Sequence, residues 1–257
     1  MSAAQDETGH IAQCPWAAGG SEIGQERADN EDAWFCDPVR GLFIVADGMG
    51  GHAAGEEASA AAIQALSTAL SQARLRQAVA AGAEAMQGLL HAALTAANAA
   101  ILQLEAAHPE WVGMGTTAVI AVRADADLYV ANVGDSRAYL LRGGRATPLT
   151  CDHSVAAMLV NSGTIAPDEL RLHPMRNQLT MVLGSTDPLL PAFTVQSLRP
   201  GDRVVLCSDG LWDMLDDDTI LQIVQFSATP CEAAYALISA ADDAGGLDNI
   251  TVIVMNC

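Results

Sequence analysis

The chain has 257 residues, 51% hydrophobic but only 4% aromatic, with a formal net charge of −19 from 31 acidic and 12 basic side chains. That length suits one compact domain with a core of Ala, Val, Leu and Ile, and no Pro/Ser tract, charge block or low-complexity stretch suggests a linker. All twelve basic residues are arginine, which excludes a P-loop or Schiff-base lysine and argues against nucleic acid or an anionic membrane as partner.

Cys14, Cys36, Cys151, Cys207, Cys231 and Cys257 are too widely spaced for a CxxC zinc or redox motif, and Cys207, inside an apolar run, reads as a small core residue. No basic region followed by an apolar stretch marks the N-terminus, and no run approaches the roughly 20 apolar residues of a membrane span. The expectation is a soluble, reduced, cytoplasmic protein.

In chain order, residues 1–20 are small, polar and irregular, and the ordered pattern begins at Ser21. Ala33–Cys36 and Leu42–Ala46 read as strands joined through Asp37-Pro38. An alanine-rich helix is expected over Ala53–Ala73. A second covers Leu75–Ala107, where Met86, Leu90, Leu94, Ala97, Ile101 and Leu104 form one apolar stripe. His91 lies on that stripe too and is expected to be partly exposed rather than a ligand. Strands follow at Thr117–Arg123, Leu128–Val133 and Arg137–Arg142, with Gly143-Gly144 as a hairpin signal. Residues 152–190 break the alternation with one short helix, Val155–Asn161, and read as a flap. Strands return at Phe193–Ser197 and Arg203–Cys207, then helices at Asp218–Phe226 and Cys231–Ala241, then a last strand, Ile250–Met255. Short turns make most pairings antiparallel. The grouping of helices predicts an α+β fold: two sheets face to face with helix pairs outside.

Four distant segments each end an apolar run with an aspartate: Leu42–Asp47, Leu128–Asp135, Val204–Asp209 and Leu247–Asp248. A carboxylate at the end of a buried strand is presented on a rigid element. One such residue reads as a turn aspartate. Four that converge repel one another unless cations lie between them, and hard oxygen donors suit magnesium or manganese.

Further motifs accompany them. Arg27 stands among Glu26, Asp29, Glu31 and Asp32; Asp47-Gly48-Met49-Gly50-Gly51-His52 precedes Gly55-Glu56. Gly115-Thr116-Thr117, Gly134-Asp135-Ser136-Arg137, His173-Pro174, Arg176-Asn177, Ser208-Asp209-Gly210 and Asp248-Asn249 follow in order. In this order and spacing, from about Ser21 to Val254, the set closely resembles the bacterial single-domain metal-dependent type 2C protein serine/threonine phosphatases.

The resemblance implies a four-layer αββα sandwich, one catalytic domain over residues 21–257, and two tightly bound Mn²⁺ or Mg²⁺ ions with a third, weaker one. By position, Asp47 resembles the carboxylate bridging two metals and Gly48 a backbone carbonyl ligand. Asp209 and Asp248 resemble ligands of the second metal, and Asp135, with Asp209, of the third. Glu31 and Asp32 occupy the acidic pair that reaches metal directly or through water. Arg27 occupies the phosphate-binding position, and its planar fork suits two phosphoryl oxygens. Two ions roughly 3.5–4 Å apart would activate a water for in-line attack, so no covalent intermediate is implied.

Met49 stands where some members carry a histidine thought to protonate the leaving group. His52 is the nearest histidine and reads as a turn residue, and the hydrogen bonds of His153 and His173 are expected to fix the flap. The implied function is hydrolysis of phosphoserine and phosphothreonine in proteins, by a monomer paired with a bacterial serine/threonine kinase. A regulatory phosphoprotein-binding scaffold would have lost metal ligands, and a small-phosphoester hydrolase would keep the chemistry but change the substrate.

Overall fold

The structure is a computed structural model that describes residues 12–50 and 53–257. Two strands open the chain, β1 (Ala12–Cys14) and β2 (Ala17–Glu22), followed by β3 (Asp32–Asp37) and β4 (Leu42–Met49). Three helices come next: α1 (Ala53–Ala69), α2 (Gln72–Ala81) and α3 (Ala83–Ala107). The strand block comprises β5 (Gly115–Thr116), β6 (Ala118–Ala124), β7 (Asp127–Val133), β8 (Arg137–Arg142) and β9 (Arg145–Pro148). Helix α4 (Val155–Asn161) lies in the 152–190 segment, before β10 (Ala192–Ser197) and β11 (Arg203–Cys207). The one-turn α5 (Asp209–Trp212), α6 (Asp217–Phe226), α7 (Pro230–Asp243) and β12 (Ile250–Asn256) complete the chain.

These strands form two antiparallel sheets, ordered β1-β2-β12-β11-β8-β9 and β10-β7-β6-β4-β3. Strand β4 shows why its sequence is apolar throughout. Leu42 and Ile44 face α1–α3, while Phe43 and Val45 face the other sheet, so both sets are fully buried. A strand covered on both faces cannot alternate polar and apolar residues. Beyond the second sheet, Tyr139, Val205, Val252 and Val254 pack against Trp212, Ile220 and Leu237 of α5–α7. The layers are therefore helix, sheet, sheet, helix, as the pattern of elements implies.

Three expectations need correction. Residues 12–20 are not irregular: β2 pairs with β12 over six residues, and Ala17 and Ala18 are fully buried. The strand escapes propensity rules because its small residues are steric requirements. A Cβ on Gly19 would lie 2.9 Å from Ile253 Cγ1, 3.0 Å from the Val252 carbonyl and 3.2 Å from Trp34. The expected Leu75–Ala107 helix is two helices, because Gly82, at φ 100°, ends α2 and precedes α3. One face of the sandwich thus carries three helices rather than a pair. Finally, α3 is by length and composition apolar enough to cross a membrane, contrary to the absence of such a run. Its stripe Met86, Leu90, Leu94 and Ile101 is buried against the sheet, whereas His91 and Thr95 are exposed, as suits a helix of the core layer.

Candidate metal and phosphate site

Antiparallel pairing brings the aspartates together. The register places Asp32, which opens β3, opposite Asp47 near the end of β4. Strands β4 and β7 both run antiparallel to β6, so Asp47 and the loop after β7 that carries Asp135 emerge on the same rim. In the other sheet Cys207 pairs with Val252, which puts Asp209, after β11, beside the entrance to β12. Asp248 corrects the strand-exit expectation: it precedes its strand, and Leu247 before it is 54% exposed. Antiparallel geometry makes a strand's entry equivalent to its neighbour's exit.

Arg27, Glu31, Asp47, Gly48, Met49, Asp135, Asp209 and Asp248 line one cavity of about 250 Å³, together with Thr117, Asn177 and Leu179. Asp32 lies beneath it, one oxygen accepting from Ser208 Oγ at 2.7 Å. Each predicted site residue is at this rim; His52, expected to be a turn residue, lies outside the described residues.

The backbone around Asp47 is rigid. Its N–H donates to Thr117 Oγ1 at 3.0 Å, and its carbonyl accepts from Thr117 N at 2.9 Å and Thr116 Oγ1 at 2.8 Å. At Gly48 a Cβ would run into the carbonyls of Gly55 and Glu31, so only glycine lets these segments approach. Gly48 N–H donates to the Glu31 carbonyl at 3.1 Å, and Ser59 Oγ donates to the same oxygen at 2.7 Å, fixing the acidic pair against β4.

Asn249 ties the arginine loop to Asp248. Its side chain accepts from Glu31 N at 2.8 Å and donates to the carbonyls of Ile23 at 2.9 Å and Asp29 at 3.0 Å. Within this frame Arg27 Nη2 pairs with Asp248 at 2.6 Å, both groups partly exposed.

Burial dominates the electrostatics. It raises the carboxyl of Asp32 to about 8 despite hydrogen bonds from Thr251 and Ser208, with Asp209 and Asp248 adding to the rise. Burial followed by the charges of Asp248 and Asp213 raises Asp209 to about 7. Asp47 is held well above the usual range by burial and then by Asp32, Asp209, Asp135 and Asp248; Asp135 by burial and then Asp209 and Asp152. One oxygen each of Asp32 and Asp209 is buried without a hydrogen-bond partner among the described residues. So dense a set of buried anions calls for protons or cations. Its all-oxygen donors are those of a hard divalent ion.

The 152–190 segment closes one side. His153 Nδ1 accepts from Gly134 N at 3.1 Å, and Gly134 O accepts from His153 N at 2.9 Å. His173 Nδ1 accepts from Met175 N at 3.2 Å. Arg176 grips Asp213 with two bonds of 2.9 Å, which brings Asn177 to the cavity. Asp213 and Trp212 lie beyond the Ser-Asp-Gly motif and were not legible as site supports; an aromatic residue three positions after an aspartate reads as core.

A family model described as protein phosphatase 2C matches residues 19–241. Serine/threonine protein phosphatase PstP of Mycobacterium tuberculosis is 40% identical over 234 residues, covering 91% of this chain and 43% of its own. The chain therefore spans less than half the length of that curated relative. Protein phosphatase PhpP of Streptococcus pneumoniae is 34% identical over 239 residues, covering 92% of this chain and 95% of its own. The crystal structure of the M. tuberculosis PstP phosphatase superposes with a TM-score of 0.84 at 39% identity, covering 93% of this chain and 97% of that one. The PstP catalytic domain in complex with two manganese ions gives 0.80 at 37%, covering 93% and 96%.

Proposed function

The chain belongs to the protein phosphatase 2C family, and from that premise we propose that it hydrolyses phosphoserine and phosphothreonine esters in proteins with divalent metal ions. One observation carries the reading: Asp47, Asp135, Asp209 and Asp248 arrive from both sheets at one cavity whose sole lining cation among the described residues is Arg27. The manganese complex of the related catalytic domain supports the choice of ion.

The carboxylates present fit such ions, since their donors are all oxygen and two buried carboxylate oxygens lack partners among the described residues. Asp47 and the Gly48 carbonyl would hold the metal pair, with Asp209 and Asp248 on its second member. Asp135 would join Asp209 around a third ion, and Glu31 and Asp32 would act through water or by holding the others. Bound divalent ions supply Lewis-acid stabilisation of the phosphoryl oxygens and lower the pKa of water.

The rest is work for the chain itself. Arg27 offers five N–H donors, of which Asp248 engages Nη2, so its fork can also hold phosphoryl oxygens and orient the ester. Met49 at the cavity wall cannot donate a proton, so no side chain at that position protonates the leaving alkoxide. Asn177 and Leu179 bound the space beside the ester and narrow solvent access. A scaffold that had abandoned catalysis would have no need to keep this carboxylate set. The natural partners are phosphorylated proteins and the kinase that makes them, met by a monomer in the cytoplasm.

A phosphothreonine peptide and small phosphoesters, assayed side by side with Mn²⁺, test the substrate class. Higher kcat/KM on the peptide is expected. Turnover confined to small esters would move the substrate assignment, and no turnover on either would leave a binding protein.

A further inference from the structure

The one-turn helix α5 does two jobs within four residues. Its first residue, Asp209, lines the carboxylate cavity. Its last, Trp212, turns the indole the other way and donates from Nε1 to the backbone carbonyl of Asp135 at 3.1 Å. Trp212 is only 1% exposed, so this carbonyl and this N–H have no water to fall back on.

Behind the ring lies a fixed stack. Arg137 covers the indole face with its guanidinium 3.7 Å from the ring centroid. The same guanidinium makes a two-nitrogen grip on Asp152, with contacts of 2.6 to 3.1 Å, and donates to Tyr139 Oη at 3.0 Å. Arg137 is 8% exposed, and a buried, bidentate, stacked arginine has one orientation. The ring is thereby clamped, and its N–H points at one place.

We propose that Trp212 is a positioning residue that sets the separation of Asp135 from Asp209, and through it the affinity for the weakest divalent ion. The inference rests on the reading that these two aspartates share an ion. On Asp135's side, Gly134 is held by His153 and Ser136 Oγ pairs with Thr117 Oγ1 at 2.7 Å. Those bonds hold the β7 side of Asp135; on its other side the chain crosses to β8, whose Arg137 pairs with Cys207 of β11, two residues before Asp209. The indole bond is the direct hydrogen bond between Asp135 and α5, the element that presents Asp209.

Trp212→Phe tests this: an aromatic face stays for Arg137 to cover, the indole N–H goes, and the smaller ring costs some buried packing, which thermal unfolding reads separately. Mn²⁺ calorimetry should show the two tight sites retained and the weakest site weakened about five- to tenfold, the loss of one buried neutral hydrogen bond. The kcat at limiting Mn²⁺ should fall while KM for peptide holds, and excess Mn²⁺ should restore it. Asp135→Asn should abolish the weakest site and resist rescue. If Asp135→Asn leaves metal stoichiometry unchanged, the shared-ion reading fails. If Asp135→Asn removes the weakest ion but Trp212→Phe binds it with unchanged affinity, the positioning role fails alone. Should Trp212→Phe not fold, the wild-type chain still decides. In a Mg²⁺ titration followed by NMR, the Trp212 indole N–H should shift with the weakest binding step, and an indifferent resonance overturns the proposal.

Discussion

Arg27 serves both the carboxylate cluster and the proposed substrate: it pairs with Asp248 at 2.6 Å, and among the described residues it is the sole cation lining the cavity. Arg27→Ala should chiefly raise KM for a phosphopeptide. A charge-assisted hydrogen bond is worth about 1.5–3 kcal/mol, and partial exposure places this one toward the lower end. Steady-state kinetics check it; unchanged constants would make Arg27 an ion-pair residue only. Asp47→Asn, by contrast, removes an anion from the centre of the cluster and should abolish turnover together with the tight metals, read by calorimetry. The carboxylates were legible in the sequence because each borders an apolar run, where a charge on a buried strand has few explanations. Trp212, Asp213 and Asn249 were not legible as supports, because their partners lie between 37 and 226 residues away.

At the level of elements, hydrophobic pattern located eight of the twelve strands among the described residues, missing the short or small-residue β1, β2, β5 and β9, and it merged α2 with α3. Strand β2 has no β-branched residue, because Gly19 faces Ile253 and Trp34 at contact distance. Gly19→Val should therefore cost about 1–3 kcal/mol by overpacking, measured by urea denaturation. Gly82→Ala meets nothing within 4 Å and should cost only the strain of a backbone conformation open essentially to glycine alone, about 1–3 kcal/mol. The root of the 152–190 segment supplies a pH dependence. Burial lowers the His153 pKa below 6.5, with Asp152 partly opposing, and its Nδ1 must stay unprotonated to accept from Gly134. A depressed folded pKa means this contribution is present above 6.5 and is lost as pH falls through the folded value. His153→Asn keeps an acceptor that does not titrate. Wild type should lose more stability than this variant between about pH 7.5 and 5.5, and parallel losses would show that His153 does not titrate with folding.

For the whole molecule, central strands such as β4 and β12, buried on both faces, leave little room for charge except at their ends, and one rim collects the carboxylates. That organisation was legible as an order of elements and as aspartates at the borders of apolar runs. Which ends share a rim was not, since it depends on pairings such as β11 with β12 across more than forty residues. The net charge of −19 is consistent with a fold that binds divalent cations. Metal should stabilise the native chain by mass action, because the unfolded chain has no assembled cluster. The most direct test of the central claim follows dephosphorylation of a phosphothreonine peptide while metal is withdrawn and returned, with thermal unfolding recorded on the same samples. Excess EDTA should abolish turnover and lower Tm, and added Mn²⁺ should restore both. Full turnover in excess EDTA would contradict a metal-dependent phosphatase.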